Sequence, residues 1–167
     1  MPSTPPRPPA WMKTDRHGRR VSVAVAGALA AAGVVFVLLA ALNREGRRQG
    51  LFAERAEPDI RRWMDLAALG AICDVTRLSG FNRALTGLGL KVMSDWSNPG
   101  LHALLKAAGV EPSEAKVSHA GFILGPRINA GGRIGRSDLG ARLLSTDDAT
   151  EAARAVIDVA RDAELLQ

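Results

Sequence analysis

The chain has 167 residues, of which 47% are hydrophobic, enough to fill one core. A formal net charge of +5 points to a polyanionic partner, either nucleic acid or an anionic membrane surface. One cysteine, Cys73, excludes an intrachain disulfide and a cysteine-built zinc site, and 4% aromatics with no Tyr supply no base-stacking platform, so contact with nucleic acid would be mainly through phosphate.

Pro2, Pro5, Pro6, Pro8 and Pro9 open the chain. Residues 1–28 therefore read as a disordered Pro/Arg-rich arm, whose basic stretch Lys13-Thr14-Asp15-Arg16-His17-Gly18-Arg19-Arg20 reads as a solvated tail. An uncharged run opens at Val21 and closes at Leu42. It has the length of a membrane span, which takes about 20 apolar residues. However, it is rich in Ala and Gly, and Arg19-Arg20 and Arg44 flank both ends, so the positive-inside rule gives no orientation. A buried helix is the preferred reading and a single membrane span the alternative.

Pro58 fits the first turn of a helix striped by Ile60, Trp63, Met64 and Ala67. That helix continues through Asp65-Leu66-Ala67-Ala68-Leu69-Gly70-Ala71-Ile72-Cys73-Asp74-Val75, an apolar run ending on a lone carboxylate. Cys73 inside it reads as a small buried hydrophobe. Further helices are predicted over 82–94 and 99–108, the second capped by Gly109. A short strand is predicted over 117–129, entering a Gly-rich loop. A helix then starts at Ser137 or Asp138, and Asp148-Ala149-Thr150-Glu151 has capping-box spacing.

The loop, Gly125-Pro126-Arg127-Ile128-Asn129-Ala130-Gly131-Gly132-Arg133-Ile134-Gly135, combines backbone freedom with fixed positive charge. Glycines let several N–H groups turn toward one anion, and Arg127 and Arg133 each offer a planar donor fork. The spacing matches neither the P-loop nor the dinucleotide-binding fingerprint. His102 and His119 have no second ligand at useful spacing, so neither reads as a metal or nucleophilic residue.

Leu69-Gly70-Ala71-Ile72-Cys73-Asp74-Val75, Asn82-Arg83, Pro99-Gly100-Leu101 and Gly121-Phe122-Ile123-Leu124-Gly125-Pro126-Arg127-Ile128-Asn129-Ala130 together resemble the RecJ family of single-stranded-DNA-specific exonucleases, within the DHH phosphoesterase superfamily. The resemblance runs from about Leu29 to the C-terminus. It implies a parent α/β fold, of which this chain would be a mostly α-helical part with the short strand before the Gly-rich loop. Residues 29–110 would be the C-terminal part of the phosphoesterase domain with its connecting helices, and 111–167 the start of a second, DNA-contacting domain.

By the same resemblance Asp74 is a catalytic metal ligand for Mn²⁺ or Mg²⁺, and Arg127, Asn129 and Arg133 bind the phosphates of single-stranded DNA. Asp65 matches a position often acidic in the family and reads as a helix-surface or outer-sphere carboxylate, and Arg136 extends the basic patch. The Asp-x-Asp pair and Asp-His-His trio that complete the family's metal cluster are absent from this sequence. The expectation is a central fragment of a cytoplasmic 5′→3′ exonuclease of recombination and repair, inactive alone. The alternatives are a membrane-anchored protein and a DNA-binding remnant without catalysis.

Overall fold

The computed structural model describes residues 13–14, 20–21, 29–134 and 138–164. Near the N-terminus, the two-residue strands β1 (Lys13–Thr14) and β2 (Arg20–Val21) pair antiparallel; the rest of the predicted arm lies outside the described residues. The remainder is helical, with α1 (Ala31–Arg48), a 3₁₀ turn (Ile60–Trp63), α2 (Met64–Cys73), α3 (Gly80–Met93) and α4 (Pro99–Ala107). There follow a π-helical turn (His119–Leu124), α5 (Gly125–Ile134), α6 (Leu139–Ser145) and α7 (Ala149–Glu164).

Small side chains make α2 the centre of the first half. Ala67, Ala68, Leu69 and Ala71 are buried around it, with α1 on one side and α3 on another. A Cβ at Gly70 would lie 2.6 Å from Ala32 Cβ, and one at Gly89 would lie 2.2 Å from the Met64 carbonyl oxygen, so both glycines are required by helix–helix approach. The expected Pro58 helix start is shifted: Asp59 caps instead, its carboxylate accepting the Arg61 N–H at 3.1 Å. The Arg61 side chain binds the same carboxylate and holds Asp59 down at about 2.

The second half packs around α4. Asn98 caps it by accepting the Leu101 N–H at 3.0 Å, while its side-chain amide donates to the Leu144 carbonyl at 3.1 Å and ties α4 to the end of α6. Gly109, at φ +69°, reverses the chain after α4 as its position predicts. Leu101, Leu104 and Leu105 enter a core with Leu124, Leu143 and Val159. The predicted box before α7 is half right. Asp148 accepts the Thr150 N–H at 2.7 Å, but the Glu151 carboxylate accepts from the Thr146 hydroxyl rather than from the Asp148 amide.

Two expectations are corrected. The strand predicted over 117–129 is helical, because its apolar residues fall one turn apart: Ala120 and Leu124 are fully buried at i and i+4, while Phe122 between them is 80% exposed. The Gly-rich loop likewise forms α5, in which each helical glycine costs only about 1 kcal/mol relative to alanine. Of the apolar run expected to be a helix, residues 22–28 lie outside the described residues, and 31–42 belong to α1. No described helix is long and apolar enough to cross a membrane. Yet among the described residues α1 is covered only in part: Ala32, Phe36 and Leu39 are half-buried while Val34, Leu38 and Leu42 stand exposed.

Candidate functional site

Asp74 is the C-cap of α2, exposed, with its N–H donating to the Gly70 carbonyl, while the Val75 N–H donates to the Ile72 carbonyl. The next residue, Val75, has φ +52° and is 88% exposed. A β-branched residue rarely adopts this left-handed conformation, which costs about 1–2 kcal/mol. The turn is held by residues that sequence reasoning did not assign to the site. The Thr76 hydroxyl donates to the Ala71 carbonyl at 2.8 Å, and buried Asn82 donates through its side-chain amide to the Thr76 hydroxyl at 2.8 Å and the Arg77 carbonyl at 3.0 Å. An Asn just inside a helix start, six residues after a Thr, was the available signal.

The end of α2 is pressed against the start of α5. A Cβ at Gly125 would lie 2.6 Å from Cys73 Sγ, and one at Gly121 would lie 3.3 Å from Ile72 Cγ2. The Cys73 thiol points at the Ala120 carbonyl, 3.8 Å away. Burial, and then the Asp74 charge, push the Cys73 thiol above its ordinary range, in keeping with an inert small hydrophobe. The seam thus brings the carboxylate-bearing segment beside the Arg/Asn-bearing one.

On α5, Arg127 donates from Nη1 to the Ile123 carbonyl at 2.9 Å, which leaves further guanidinium N–H donors. Asn129 is exposed. Positions 129 and 133 lie about one helical turn apart, whereas 127 and 129 point to nearly opposite sides of the helix. Helical geometry thus separates residues that a loop would gather around one anion. The side chain of Arg133, and Arg136 entirely, lie outside the described residues.

Of the two readings of Asp65, helix-surface or outer-sphere carboxylate, the surface one is corrected. The residue is 2% exposed, in the first turn of α2, and its carboxylate accepts the Leu66 N–H at 2.7 Å. Desolvation raises its pKa against the smaller lowering by that bond and by Arg62. His119 opens the π turn, where Nδ1 accepts the Lys116 N–H at 3.3 Å and the ring lies 6.2 Å from Trp96. His102 is half-buried on α4. Among the described residues no group of three His, Cys, Asp or Glu side chains could hold a metal ion, so Asp74 does not by itself fit a dinuclear hydrolytic centre.

No protein-family model matches the chain. It is 41% identical over 128 residues to the single-stranded-DNA-specific exonuclease RecJ of Dickeya dadantii, covering 75% of this chain and 22% of that protein. Identity to the Thermus thermophilus enzyme of the same name is 43% over 121 residues, or 72% of this chain and 16% of that one. The crystal structure of Thermus thermophilus RecJ with Mg²⁺ superimposes with a TM-score of 0.58 at 38% identity, covering 72% of this chain and 18% of that one. The Mn²⁺ complex gives 0.59. The chain spans about a fifth of the length of the curated relatives it matches.

Proposed function

Belonging to the RecJ family over the matched three quarters of its length, this chain is, we propose, a segment of a metal-dependent single-stranded-DNA exonuclease. In it Asp74 serves as one carboxylate of the metal site, and Arg127, Asn129 and Arg133 hold phosphates of the strand. The observation that carries this reading is the seam at Gly121 and Gly125, where glycine alone lets α5 sit against Cys73, the residue before Asp74. The RecJ structures solved with Mg²⁺ and Mn²⁺ support the choice of cation.

One carboxylate cannot hold the two cations that phosphodiester hydrolysis uses, so no hydrolytic step is assigned to this chain alone. Residues 29–110 are proposed as the end of the phosphoesterase domain and 111–167 as the start of the DNA-contacting one. Within a whole protein the reading is 5′→3′ degradation of single-stranded DNA in the cytoplasm during recombination and repair.

The test uses the pure chain, a fluorescent single-stranded oligonucleotide and a salt series with Mn²⁺ present. Salt-sensitive binding without cleavage is expected, and Arg127→Ala with Arg133→Ala should reduce the slope of log K against log salt by about 1.4, roughly 0.7 per lost phosphate contact. Unchanged binding by that double variant would remove the phosphate role. Mn²⁺-dependent cleavage by the pure parent chain would show that the metal centre is complete without further polypeptide.

A further inference from the structure

We propose that Thr76 and Asn82 are positioning residues for Asp74: together they clamp Val75 in its left-handed conformation and so hold the helix ending on which the Asp74 carboxylate stands. The proposal deepens, and rests on, the reading of Asp74 as a site carboxylate given above.

The end of α2 has the bond pattern of a helix that stops on a left-handed residue. The Val75 N–H donates to the Ile72 carbonyl at 3.0 Å and the Thr76 N–H to the Ala71 carbonyl at 3.1 Å, with Val75 at φ +52°. Glycine is the usual residue at such a position, because a side chain disfavours positive φ and a β-branched one does so most. Val75 gains nothing from burial in return, since its side chain stands in solvent. A strained residue of this kind persists only where its surroundings over-determine it, and such residues gather at functional sites.

Here the surroundings are Thr76 and Asn82. The Thr76 hydroxyl donates to the Ala71 carbonyl at 2.8 Å, doubling the hold that its own N–H has on that oxygen. The side-chain amide of Asn82 donates to the same hydroxyl at 2.8 Å and to the Arg77 carbonyl at 3.0 Å, which ties down the two residues after Val75. Asn82 is buried and shares a face of α3 with Gly89, which meets Met64 and Ala68 of α2, so the clamp is anchored in the α2–α3 pair. Before Asp74, residues 72 and 73 are pinned against Gly121 and Ala120. Asp74 and Val75 are the exposed pair between these two fixed points. With the clamp broken, the chain beyond residue 73 is free to leave the ending in which Asp74 holds φ −80° and ψ 2°.

The test reads turnover with the matched segment exchanged into whole Dickeya dadantii RecJ, of which it covers 22%. Thr76→Val keeps the shape and loses the hydroxyl. It should lower kcat about tenfold or more while the KM for a single-stranded oligonucleotide stays within about twofold, since about 1 Å of misplacement can cost about 100-fold. Asn82→Asp, which replaces the donating amide by an accepting carboxylate, should do the same, and Thr76→Ser should restore the parent rate. Adding Val75→Gly to Thr76→Val should recover most of the lost turnover, because glycine holds the left-handed conformation unaided. Adding Gly87→Ala, at a position where a Cβ meets nothing within 4 Å, should recover none.

A second readout uses the isolated 167-residue chain. The amide at position 76 should exchange with solvent deuterium about tenfold faster in Thr76→Val than in the parent, and at the parent rate in Thr76→Ser, with the amides of α7 unchanged in both. Unaltered exchange in Thr76→Val would overturn the proposal, as would turnover that Gly87→Ala rescues as well as Val75→Gly does. Turnover that survives Asp74→Asn would remove the carboxylate reading beneath it. Turnover that Asp74→Asn abolishes and Thr76→Val spares would remove the positioning role alone.

Discussion

Gly125→Ala tests the seam on which the functional reading depends. The added methyl would stand 2.6 Å from Cys73 Sγ and 3.0 Å from the Ala120 carbonyl oxygen. Nonbonded contacts of this kind relax at about 3.5–4.0 Å, so α5 or the thiol must yield by about 1 Å. Overpacking of that size costs about 1–3 kcal/mol. Alanine's helix propensity returns roughly 1 kcal/mol, for a net loss of about 0–2 kcal/mol. Gly87 on α3 supplies the control: its Cβ would meet nothing within 4 Å, so Gly87→Ala should stabilise by about 0.5–1 kcal/mol.

Combining Gly125→Ala with Cys73→Ala removes the sulfur and leaves the Cys73 Cβ at an ordinary 3.7 Å. The double variant should therefore recover about 1–2 kcal/mol relative to the sum of the singles. Urea midpoints followed by far-UV circular dichroism measure the parent and the four variants. If Gly125→Ala stabilises as much as Gly87→Ala and the Cys73 change simply adds, α5 does not press on the end of α2 and the reasoning fails.

Val75→Gly should stabilise by about 1 kcal/mol by relieving the left-handed backbone, since an 88% exposed side chain gives up no packing; a lower urea midpoint would contradict it. The Thr86 hydroxyl is buried without a hydrogen-bond partner among the described residues, so Thr86→Val should raise thermal stability by about 1–3 kcal/mol, read by calorimetry. For Asp65, burial raises the native pKa, so the native state keeps a proton that the unfolded chain releases above its ordinary value of 3.8. Its contribution is full below that value and is lost as pH rises toward the native pKa, which Asp65→Asn should abolish. Melting curves from pH 3 to 7 should show the parent losing stability relative to Asp65→Asn, and parallel curves would refute the assignment.

The sequence by itself determined the family, because the Leu-Gly-x-x-x-Asp-Val and Arg-x-Asn-Ala segments are runs of fixed residue types that need no geometry to be read. It also determined α4 and its ends, because Asn98, Pro99 and Gly109 act through local backbone chemistry. What it left open is everything decided by contact at a distance. Gly125 and its neighbours read as a flexible anion loop, since glycine permits that conformation. The tertiary structure made them a helix, because the approach to Cys73 requires the absence of a side chain there.

Asp65 read as a helix-surface or outer-sphere carboxylate, and only the packing around α2 showed that it is enclosed. The run from Val21 to Leu42 read as a buried helix in preference to a membrane span. Only the structure showed α1 ending in Asn43, Arg44, Glu45, Arg47 and Arg48, with one apolar side packed and the other bare. Hydropathy records how much apolar surface a segment carries, and only the assembled neighbours determine which part of it leaves water.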